Sequence, residues 1–421
     1  MRIEIICTGD EVLTGKIVNT NFSYMAQKLE DVGLSVHWGT TVGDDRESLL
    51  AAFQLAGTRA DAVIVNGGLG PTVDDLSQEI AAQAAGVELV LHQEWLTIME
   101  AFFTKRARVM PPNNVKQAML PATAEMIDNP IGTACGFAMD IGKARFFFTP
   151  GVPRELRRML EEQVIPRILA RSGEPASIHL KRFHSYGIGE SHADELLKGI
   201  EDLDPQGGVK LGFRAHYPQL ETKLTVRGRD MDDVHRKLAP VTAAVRQRLG
   251  NFIMAEDGDT LEGVTLAELT ARNATLSVVE TFTAGQIAAR FAHLPNAETV
   301  FKRGVVVRDF TELAPIYDGI DLSGEMTQAK TEAVARAARE RTGATHSLVV
   351  LIELDAGTDR IDFGGTLWIG IADTDGVEFR RSRILGGREW VRLGAVEMAL
   401  DCLRRKLQGL PVVERIDFEK T

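Results

Sequence analysis

The segment Gly67-Gly-Leu-Gly-Pro-Thr-Val-Asp-Asp75 combines residues that bind phosphate with residues that bind metal. Glycines let the backbone adopt positive φ and approach an anion closely, with N–H groups and the N-terminus of the next helix facing it. Two carboxylates beside a phosphate repel it unless a divalent cation lies between them. The loop therefore predicts a phosphate-bearing ligand and a divalent metal ion of the Mg, Mn or Co class. The alternative is a tight turn with Asp74 or Asp75 capping the next helix, which explains neither Gly70-Pro71 nor the paired aspartates.

The residues around this loop alternate between strand and helix patterns along the first ~170 positions. Residues 3–6, 35–42 and 62–65 are predicted strands and residues 21–31 a predicted helix, a spacing typical of parallel βαβ units. The predicted fold is an α/β doubly wound sheet. Asp44 follows the second strand and the glycine loop follows the third, so we expect these carboxylates at adjacent strand ends, where open α/β sheets bind ligands.

A second loop of special geometry lies in residues 146–155. Pro150-Gly151 marks a turn after an apolar strand, and Pro153 is well placed to start a helix that runs to about residue 170. Glu155 falls in the first turn of that helix. Its carboxylate either complements the helix dipole or faces the same crevice as the glycine loop.

Two further domains are expected after the first one. Residues 1–170 are assigned to the doubly wound domain, residues 171–254 to a small α+β module and residues 255–410 to a second α/β domain. In the module, residues 231–249 are a predicted helix. Gly187-Ile-Gly189 favours a strand-to-helix turn over an anion-binding nest.

The clearest feature of the third domain is a predicted buried strand that runs into a turn rich in hydroxyl groups. It spans residues 275–285 and is followed by a predicted helix over residues 286–292. The tail, residues 412–421, is expected to be loosely ordered because chain ends are rarely held by packing.

Composition excludes several classes of function. The formal net charge of −11 argues against general nucleic-acid binding, which needs clustered Lys and Arg. The cysteines Cys7, Cys135 and Cys402 are too few and too far apart for a disulfide framework or a zinc site, which favours a reducing compartment. No apolar run approaches the ~18 residues needed to span a bilayer. We therefore expect a cytoplasmic protein with neither nucleic acid nor membrane as a partner.

Several motifs resemble those of the CinA family, the bacterial competence-damage-inducible-like proteins, over nearly the full chain. They are Thr8-Gly-Asp-Glu-Val-Leu-Thr-Gly15, Asn19-Thr-Asn21, Val42-Gly-Asp44, the glycine loop, Asn114-x-Lys-Gln-Ala118, Asn129-x-x-Gly-Thr133 and Pro150-Gly-Val-Pro-x-Glu155. The resemblance implies a first domain with the MoaB/MogA molybdopterin-binding fold, a KH-type insert, and a third domain related to nicotinamide-mononucleotide amidohydrolases. It also implies metal-dependent hydrolysis of ADP-ribose to AMP and ribose 5-phosphate by the first domain.

That implied reaction assigns roles to the motif residues. Asp44 and Asp75 are expected to bind the metal or activate water, with Asp74 as an alternative ligand. Phosphate is expected at Gly67, Gly68, Leu69, Gly70, Pro71 and Thr72, ribose or base at Glu11, Asn19 and Asn21, and other substrate contacts at Lys116, Gly151 and Glu155. Lys116 either neutralises a phosphate or is an exposed, solvated lysine.

The third domain departs from the family pattern where its chemistry lies. Active members have Glu-Ser-Cys-Thr-Gly-Gly, and this chain has Glu280-Thr-Phe-Thr-Ala-Gly285, so Thr281 replaces the nucleophilic serine while Glu280 and Thr283 remain. Arg308 and Leu313 replace a supporting tyrosine and lysine. A hydroxyl nucleophile needs a base, and arginine does not serve as one. We therefore expect this domain to fold without amidase activity.

Two other functions remain open at this point. One is a pterin-binding enzyme of molybdenum-cofactor assembly, because the fold and the glycine loop are shared. The other is a non-catalytic, nucleotide-binding scaffold in which both end domains have lost their chemistry. The expected partners are a small-molecule nucleotide and a second copy of the chain in a homodimer.

Overall fold

The structure is a computed structural model that describes residues 1–172 and 177–419. The chain separates into two compact units, an N-terminal unit (Met1–His179) and a C-terminal unit (Leu180–Thr421). The three-domain boundaries given above stay a prediction. In the described part of the chain, every helix is too short or too polar to cross a bilayer.

The N-terminal unit is built on a six-stranded sheet in the order β2-β1-β3-β8-β7-β6, with a separate β4-β5 pair. Its strands are β1 (Ile3–Thr8), β2 (Val36–Val42), β3 (Ala62–Asn66), β4 (Leu89–Leu91), β5 (Met119–Pro121), β6 (Glu125–Ile127), β7 (Gly136–Ile141) and β8 (Ala144–Thr149). Its helices are α1 (Asp10–Leu13), α2 (Thr20–Asp31), α3 (Arg46–Arg59), α4 (Ser77–Ala85), α5 (Gln93–Thr104), α6 (Pro153–Met159) and α7 (Ile165–Ser172).

Both faces of this sheet are buried, because successive strand residues point to opposite sides. In β3, Val63 and Val65 pack against α3, α4 and α5, while Ala62 and Ile64 pack against α2, α6 and α7. Strands β2, β1, β3 and β8 are parallel, and β7 and β6 are antiparallel additions. The predicted doubly wound α/β fold is confirmed.

One detail of the predicted topology is wrong. Asp44 follows β2 and the glycine loop follows β3, and these two strands flank β1 instead of pairing with each other. The helix α3 carries the chain across β1 on its way from β2 to β3. The two segments still reach the same edge of the sheet, since carboxyl ends of parallel strands lie together.

The C-terminal unit contains two sheets, ordered β10-β11-β9-β12 and β14-β13-β15-β16-β17. Its strands are β9 (Ser177–Tyr186), β10 (Val209–His216), β11 (Gln219–Gly228), β12 (Ile253–Glu256), β13 (Leu276–Thr281), β14 (Phe301–Val307), β15 (His346–Leu354), β16 (Gly364–Ala372) and β17 (Val377–Leu385). Its helices are α8 (Glu190–Leu197), α9 (Met231–Leu249), α10 (Leu261–Ala271), α11 (Gln286–Ala292), α12 (Ala297–Val300), α13 (Gln328–Thr342) and α14 (Arg388–Leu407).

Local sequence patterns predicted two helices and one turn of this unit correctly. The predicted helices over residues 231–249 and 286–292 coincide with α9 and α11. Residues 187–189 form the predicted turn between β9 and α8.

The expectation of a loosely ordered tail is wrong for its described residues. Val412 and Ile416 are buried, with 4% and 1% of their surfaces exposed. Asp417 accepts a hydrogen bond from the backbone N–H of Gly189 at 2.7 Å, and its carboxylate lies 3.1 Å from Nδ1 of His192. Long-range packing therefore orders this segment. Lys420 and Thr421 lie outside the described residues.

Candidate functional site

A pocket of about 460 Å³ lies in the N-terminal unit, beyond the carboxyl ends of β1, β3 and β8. It is lined by most of the residues that the sequence singled out, namely Glu11, Asp44, Gly67, Gly68, Leu69, Gly70, Pro71, Asp74, Asp75, Gly151 and Glu155. Thr8, Gly9, Gln117 and Thr133 also line it; they belong to the family motifs quoted above, although no role in the site was expected for them. Membership of those motifs was their signal in the sequence, and the folded sheet brings them to this edge.

Some backbone N–H groups of the glycine loop are free, and others donate hydrogen bonds within the protein. Gly67 and Gly68 adopt φ of 113° and 68°, which other residues rarely adopt. The N–H of Gly67 donates to the carbonyl of Thr149 at 3.0 Å, so it is not free for a ligand. Within the described residues, the N–H groups of Gly68, Leu69 and Gly70 have no acceptor. These three donors can face an anion.

Asp75 closes the loop on itself. One of its carboxylate oxygens accepts hydrogen bonds from the N–H of Thr72 at 2.8 Å and from the hydroxyl of the same residue. A side chain at Gly70 would collide with that carboxylate. The helix α4 has Leu76 as its N-cap and receives no side-chain cap. Asp75 therefore shapes the loop and does not cap the helix, and the donors of Thr72 are already used.

Asp44 is held against the turn that precedes α1. The N–H of Asp10 donates to its carboxylate at 3.1 Å, and its own N–H donates to the Asp10 carboxylate at 3.2 Å. Burial raises the pKa of Asp44, and the nearby charges of Asp10, Glu11 and Asp74 raise it further. Negative charge thus concentrates at this side of the pocket, which favours a bound cation.

The carboxylates of this pocket are suited to a cation that the protein and a ligand bind together. In the part of the chain that the structure describes, no three Asp, Glu, His or Cys side chains form a group able to hold a metal ion. Asp44 and Asp74 are near enough for their charges to interact. Mg²⁺ is commonly held by one or two carboxylates together with water and ligand phosphates, and these two carboxylates suit that arrangement.

Several residues expected at the ligand instead support the pocket wall. Lys116 donates to the carbonyl of Thr72 at 2.6 Å. Asn19 caps α2 by accepting from the N–H of Phe22 at 3.0 Å. Asn21 donates to the side chain of Asn66 at 2.9 Å and to the carbonyl of Gly151 at 2.7 Å. Their amides and ammonium hold the loops that line the pocket.

Two polar side chains of the pocket have few or no hydrogen bonds to offset their loss of contact with water. Burial raises the pKa of Glu155, and the hydrogen bond donated by Asn129 at 2.7 Å partly opposes that rise. Thr8 is buried, and its hydroxyl oxygen has no hydrogen-bond partner in the described structure. Such groups are typical of a site that a ligand completes.

In the C-terminal unit, the hydroxyl-rich turn lies at the carboxyl end of β13, between the parallel strands β14 and β15. Phe282 and Ala284 adopt positive φ of 62° and 57°, although neither is glycine. Backbone strain of this kind is stored mainly at functional sites. Thr281 is 1% exposed, and its hydroxyl oxygen accepts from the N–H of Ile352 on β15 at 2.8 Å.

Glu280 fixes this turn to the next helix. Its buried carboxylate accepts from the hydroxyl of Thr283 at 2.6 Å and from the N–H groups of Ile287 and Ala288 at 3.1 and 3.0 Å. The N–H groups of Ala284 and Gly285, just before α11, have no acceptor within the described residues. Free N–H groups at a helix N-terminus are suited to stabilising an oxyanion.

The two replaced supporting residues lie in different surroundings. Arg308 is exposed just after β14. Leu313 is fully buried in an apolar cluster with Val279, Tyr317 and Leu351. Position 313 therefore contributes to the core of this unit.

Comparison with known proteins covers the whole chain. Residues 4–170 match the family model described as probable molybdopterin binding domain, residues 181–255 the damage-inducible protein CinA KH domain, and residues 258–407 the CinA C-terminal domain. A CinA-like protein from Shewanella sediminis is 39% identical over 421 residues, covering 98% of this chain and 97% of the relative. The chain belongs to the CinA family.

Other relatives of this CinA-family chain carry further information. A protein from Shewanella oneidensis, named nicotinamide-nucleotide amidohydrolase PncC, is 36% identical over 426 residues, covering 100% of this chain and 98% of the relative. A solved CinA structure of unknown function from Thermoplasma acidophilum is 32% identical over 39% of this chain and 96% of its own, with a TM-score of 0.37.

The name of the Shewanella oneidensis relative overturns the expected activity. It contradicts ADP-ribose hydrolysis as the function and the expected absence of amidase activity, and it matches neither the pterin enzyme nor the non-catalytic scaffold. The expected loss of amidase activity rested largely on the side chains at positions 308 and 313. The turn around Thr281 keeps its hydroxyls, its carboxylate and its free N–H groups without them.

Proposed function

We propose that this CinA-family chain hydrolyses the carboxamide of a nicotinamide nucleotide, releasing ammonia, in its C-terminal unit. The observation that carries the proposal is the 36% identity, over the whole chain, to the relative named nicotinamide-nucleotide amidohydrolase PncC. The turn after β13 supports it, because a hydroxyl, a strained backbone and unpaired N–H groups occur together there.

The reaction that this turn suits is acyl transfer to a hydroxyl. The oxygen of Thr281 attacks the amide carbon, the C–N bond breaks, and the amide nitrogen leaves as ammonia after gaining a proton. Water then cleaves the ester, giving the carboxylic acid and restoring the hydroxyl. The N–H groups of Ala284 and Gly285 stabilise the oxyanion that forms in each step.

The geometry favours Thr281 over Thr283 as the nucleophile. The proton of Thr283 is donated to Glu280 at 2.6 Å, which ties that hydroxyl to the capping carboxylate. Thr281 only accepts, from Ile352, and no described group takes its proton. During attack this proton passes to the departing amide nitrogen, which leaves as ammonia.

Ammonia release from nicotinamide mononucleotide by the purified chain tests this proposal. Thr281→Ala is expected to lower kcat about 100-fold or more, as for other groups acting in the transition state, while Thr281→Ser keeps activity. Thr374→Ala, an exposed threonine of the same unit, is the matched control and is expected to leave the rate unchanged. Absence of ammonia release, or full activity in Thr281→Ala, contradicts the proposal.

We also propose that the pocket of the N-terminal unit binds a phosphate-bearing ligand together with a divalent cation. Three observations support it, namely the free N–H groups of the glycine loop, the unpaired hydroxyl of Thr8, and the concentration of carboxylates at Asp44 and Asp74. The N–H groups hold phosphate oxygens, and the cation, when bound, neutralises charge between the phosphate and the carboxylates.

Calorimetric titration with inorganic pyrophosphate, with and without Mg²⁺, tests this second proposal. Gly70→Ala is expected to weaken binding at least tenfold, because the added methyl collides with Asp75. Gly258→Ala, where a methyl meets open space, is the control. Asp44→Asn is expected to remove most of the Mg²⁺ dependence. Binding that is indifferent to both Gly70→Ala and Mg²⁺ contradicts the proposal.

A further inference from the structure

A cavity of about 630 Å³ in the C-terminal unit is lined on one side by Gln286, Ala289 and Arg290 of α11, the helix that follows the hydroxyl-rich turn. It is enclosed by the hairpin of β10 and β11 on one side and by α11 and α14 on the other. Its volume falls within the range of roughly 300 to 1,000 Å³ that is usual for small-molecule sites. The cavity therefore has room for a ligand of nucleotide size.

The negative charges that line this cavity already have partners. Glu397 is 3% exposed and accepts from Gln219 at 2.6 Å and from Arg290 at 2.6 Å. Glu221 lies 3.9 Å from the guanidinium of Arg182. Neither carboxylate presents an uncompensated charge to the cavity.

Arg290 and His184 of the lining also have partners, but three other basic side chains at the cavity are exposed and have none in the described part of the chain. Arg214, His216 and His293 line it, and within the described residues none of the three has a hydrogen-bond or ion-pair partner. Arg214 and His216 are two residues apart on β10, so they point to the same face of the sheet. In a chain with a formal net charge of −11, three unpaired basic groups facing one cavity are a local exception.

The lining of the cavity includes the aromatic ring of Tyr217. Tyr217 stacks on Trp390 with ring centroids 3.8 Å apart, and its hydroxyl donates to the carbonyl of Trp390 at 3.0 Å. This contact joins the hairpin to the start of α14. An aromatic ring beside unpaired basic groups is suited to a ligand with a planar ring and an anionic group.

We propose that this cavity binds a phosphate-bearing small molecule of mononucleotide size, with Arg214 as the main phosphate ligand. A guanidinium forms paired hydrogen bonds with phosphate oxygens, and the two histidines add donors at the same opening. The amides of Gln219 and Gln286 lie in the lining and can orient the rest of the molecule. Binding in this cavity requires no amide hydrolysis, so it can be tested apart from the function proposed above.

Calorimetric titration with AMP tests the site, because AMP has no carboxamide to hydrolyse. The titration uses the full chain carrying Gly70→Ala, which obstructs the glycine loop of the N-terminal unit. Adding Arg214→Gln and His216→Gln is expected to weaken AMP binding at least tenfold. Arg229→Gln is the matched control, since Arg229 belongs to the same sheet region but has a side chain that is 84% exposed and lies outside the cavity lining.

Three results would overturn the proposal. The first is no AMP binding at millimolar concentration, and the second is binding that the double substitution leaves unchanged. The third is tighter binding of a single-stranded RNA oligonucleotide than of AMP, with that RNA binding lost in the same variant. This result would assign the basic groups to the recognition of a polynucleotide. Equal weakening of AMP and inorganic phosphate by the double substitution supports recognition through the phosphate.

Discussion

At the scale of residues, burial sets the behaviour of the carboxylate of Glu155. Its pKa is raised above the ordinary value of 4.5, mainly by burial, so the folded chain holds a proton there more tightly than the unfolded chain does. Folding stability therefore falls as the pH rises from 4.5 through the raised pKa. The charged form at neutral pH is a cost to the fold, which is common for groups that face a ligand site.

We predict that Glu155→Gln is more stable than the natural chain at pH 7 and equally stable below about pH 4. Glutamine keeps an oxygen that accepts from Asn129 but carries no charge. Chemical unfolding across this pH range measures the difference. Lower stability of the variant at pH 7 would show that the ionised carboxylate is favourable where it lies.

Glu161→Gln is the control, and its expected effect on folding stability has the opposite sign. The hydrogen bond from Tyr24 is the largest cause that lowers the pKa of Glu161, so its charged form is favoured by folding. Its stabilisation is present above the ordinary pKa of 4.5 and is lost as the pH falls through the lowered value. This variant is expected to be less stable than the natural chain at pH 7.

At the scale of elements, the tail after α14 is a packed part of the C-terminal unit. Ile416 contacts the backbone at Gly187, where an added side chain would meet it. Phe418 lies 6.4 Å from Tyr186 and 6.1 Å from Tyr217, measured between ring centroids. The tail thus connects β9 and the β10–β11 hairpin with the end of α14.

We predict that Ile416→Ala destabilises the chain by about 2 to 5 kcal/mol, the usual cost of removing a buried aliphatic side chain. Val413→Ala is the matched control in the same tail, because Val413 is 68% exposed, and it is expected to change stability by less than about 0.5 kcal/mol. Urea unfolding of the two variants and of the natural chain, followed by tryptophan fluorescence, compares them. Equal effects of the two substitutions would mean that the tail does not pack as described.

At the scale of the whole molecule, we propose a homodimer, from the family resemblance and from an apolar stretch on the surface of the N-terminal unit. Leu13, Ile17 and Val18 are 56%, 56% and 80% exposed and lie within six residues of one another. Clustered exposed apolar side chains commonly mark a protein contact.

Light scattering of the purified chain is predicted to give about twice the chain mass of 46.1 kDa at micromolar concentration. Ile17→Asp together with Val18→Asp is expected to give the monomer mass, since two charges would be buried in the contact. Leu55→Asp, at an exposed leucine of α3, serves as the control. A wild-type mass of one chain refutes the dimer, and a dimer that survives the double substitution places its contact elsewhere.

The features that could be predicted from the sequence are those that depend on neighbouring residues. The alternation of strands and helices predicted the α/β fold, and the periodicity over residues 231–249 and 286–292 predicted α9 and α11. The glycines and aspartates of the loop predicted a phosphate and metal site at a strand end, which stays a prediction. The predictions of the fold and of the two helices succeeded because backbone conformation and side-chain spacing act within a few residues.

Tertiary structure alone decided which groups remain free to act. The N–H of Gly67 is used by Thr149, a residue 82 positions away in the chain, whereas those of Gly68 and its two successors stay open. Glu397 is paired through Gln219 and Arg290, and only the fold brings these to the cavity that Arg214 faces. A hydrogen-bonding group can act on a ligand only when no other part of the chain satisfies it, and that is fixed by long-range contacts.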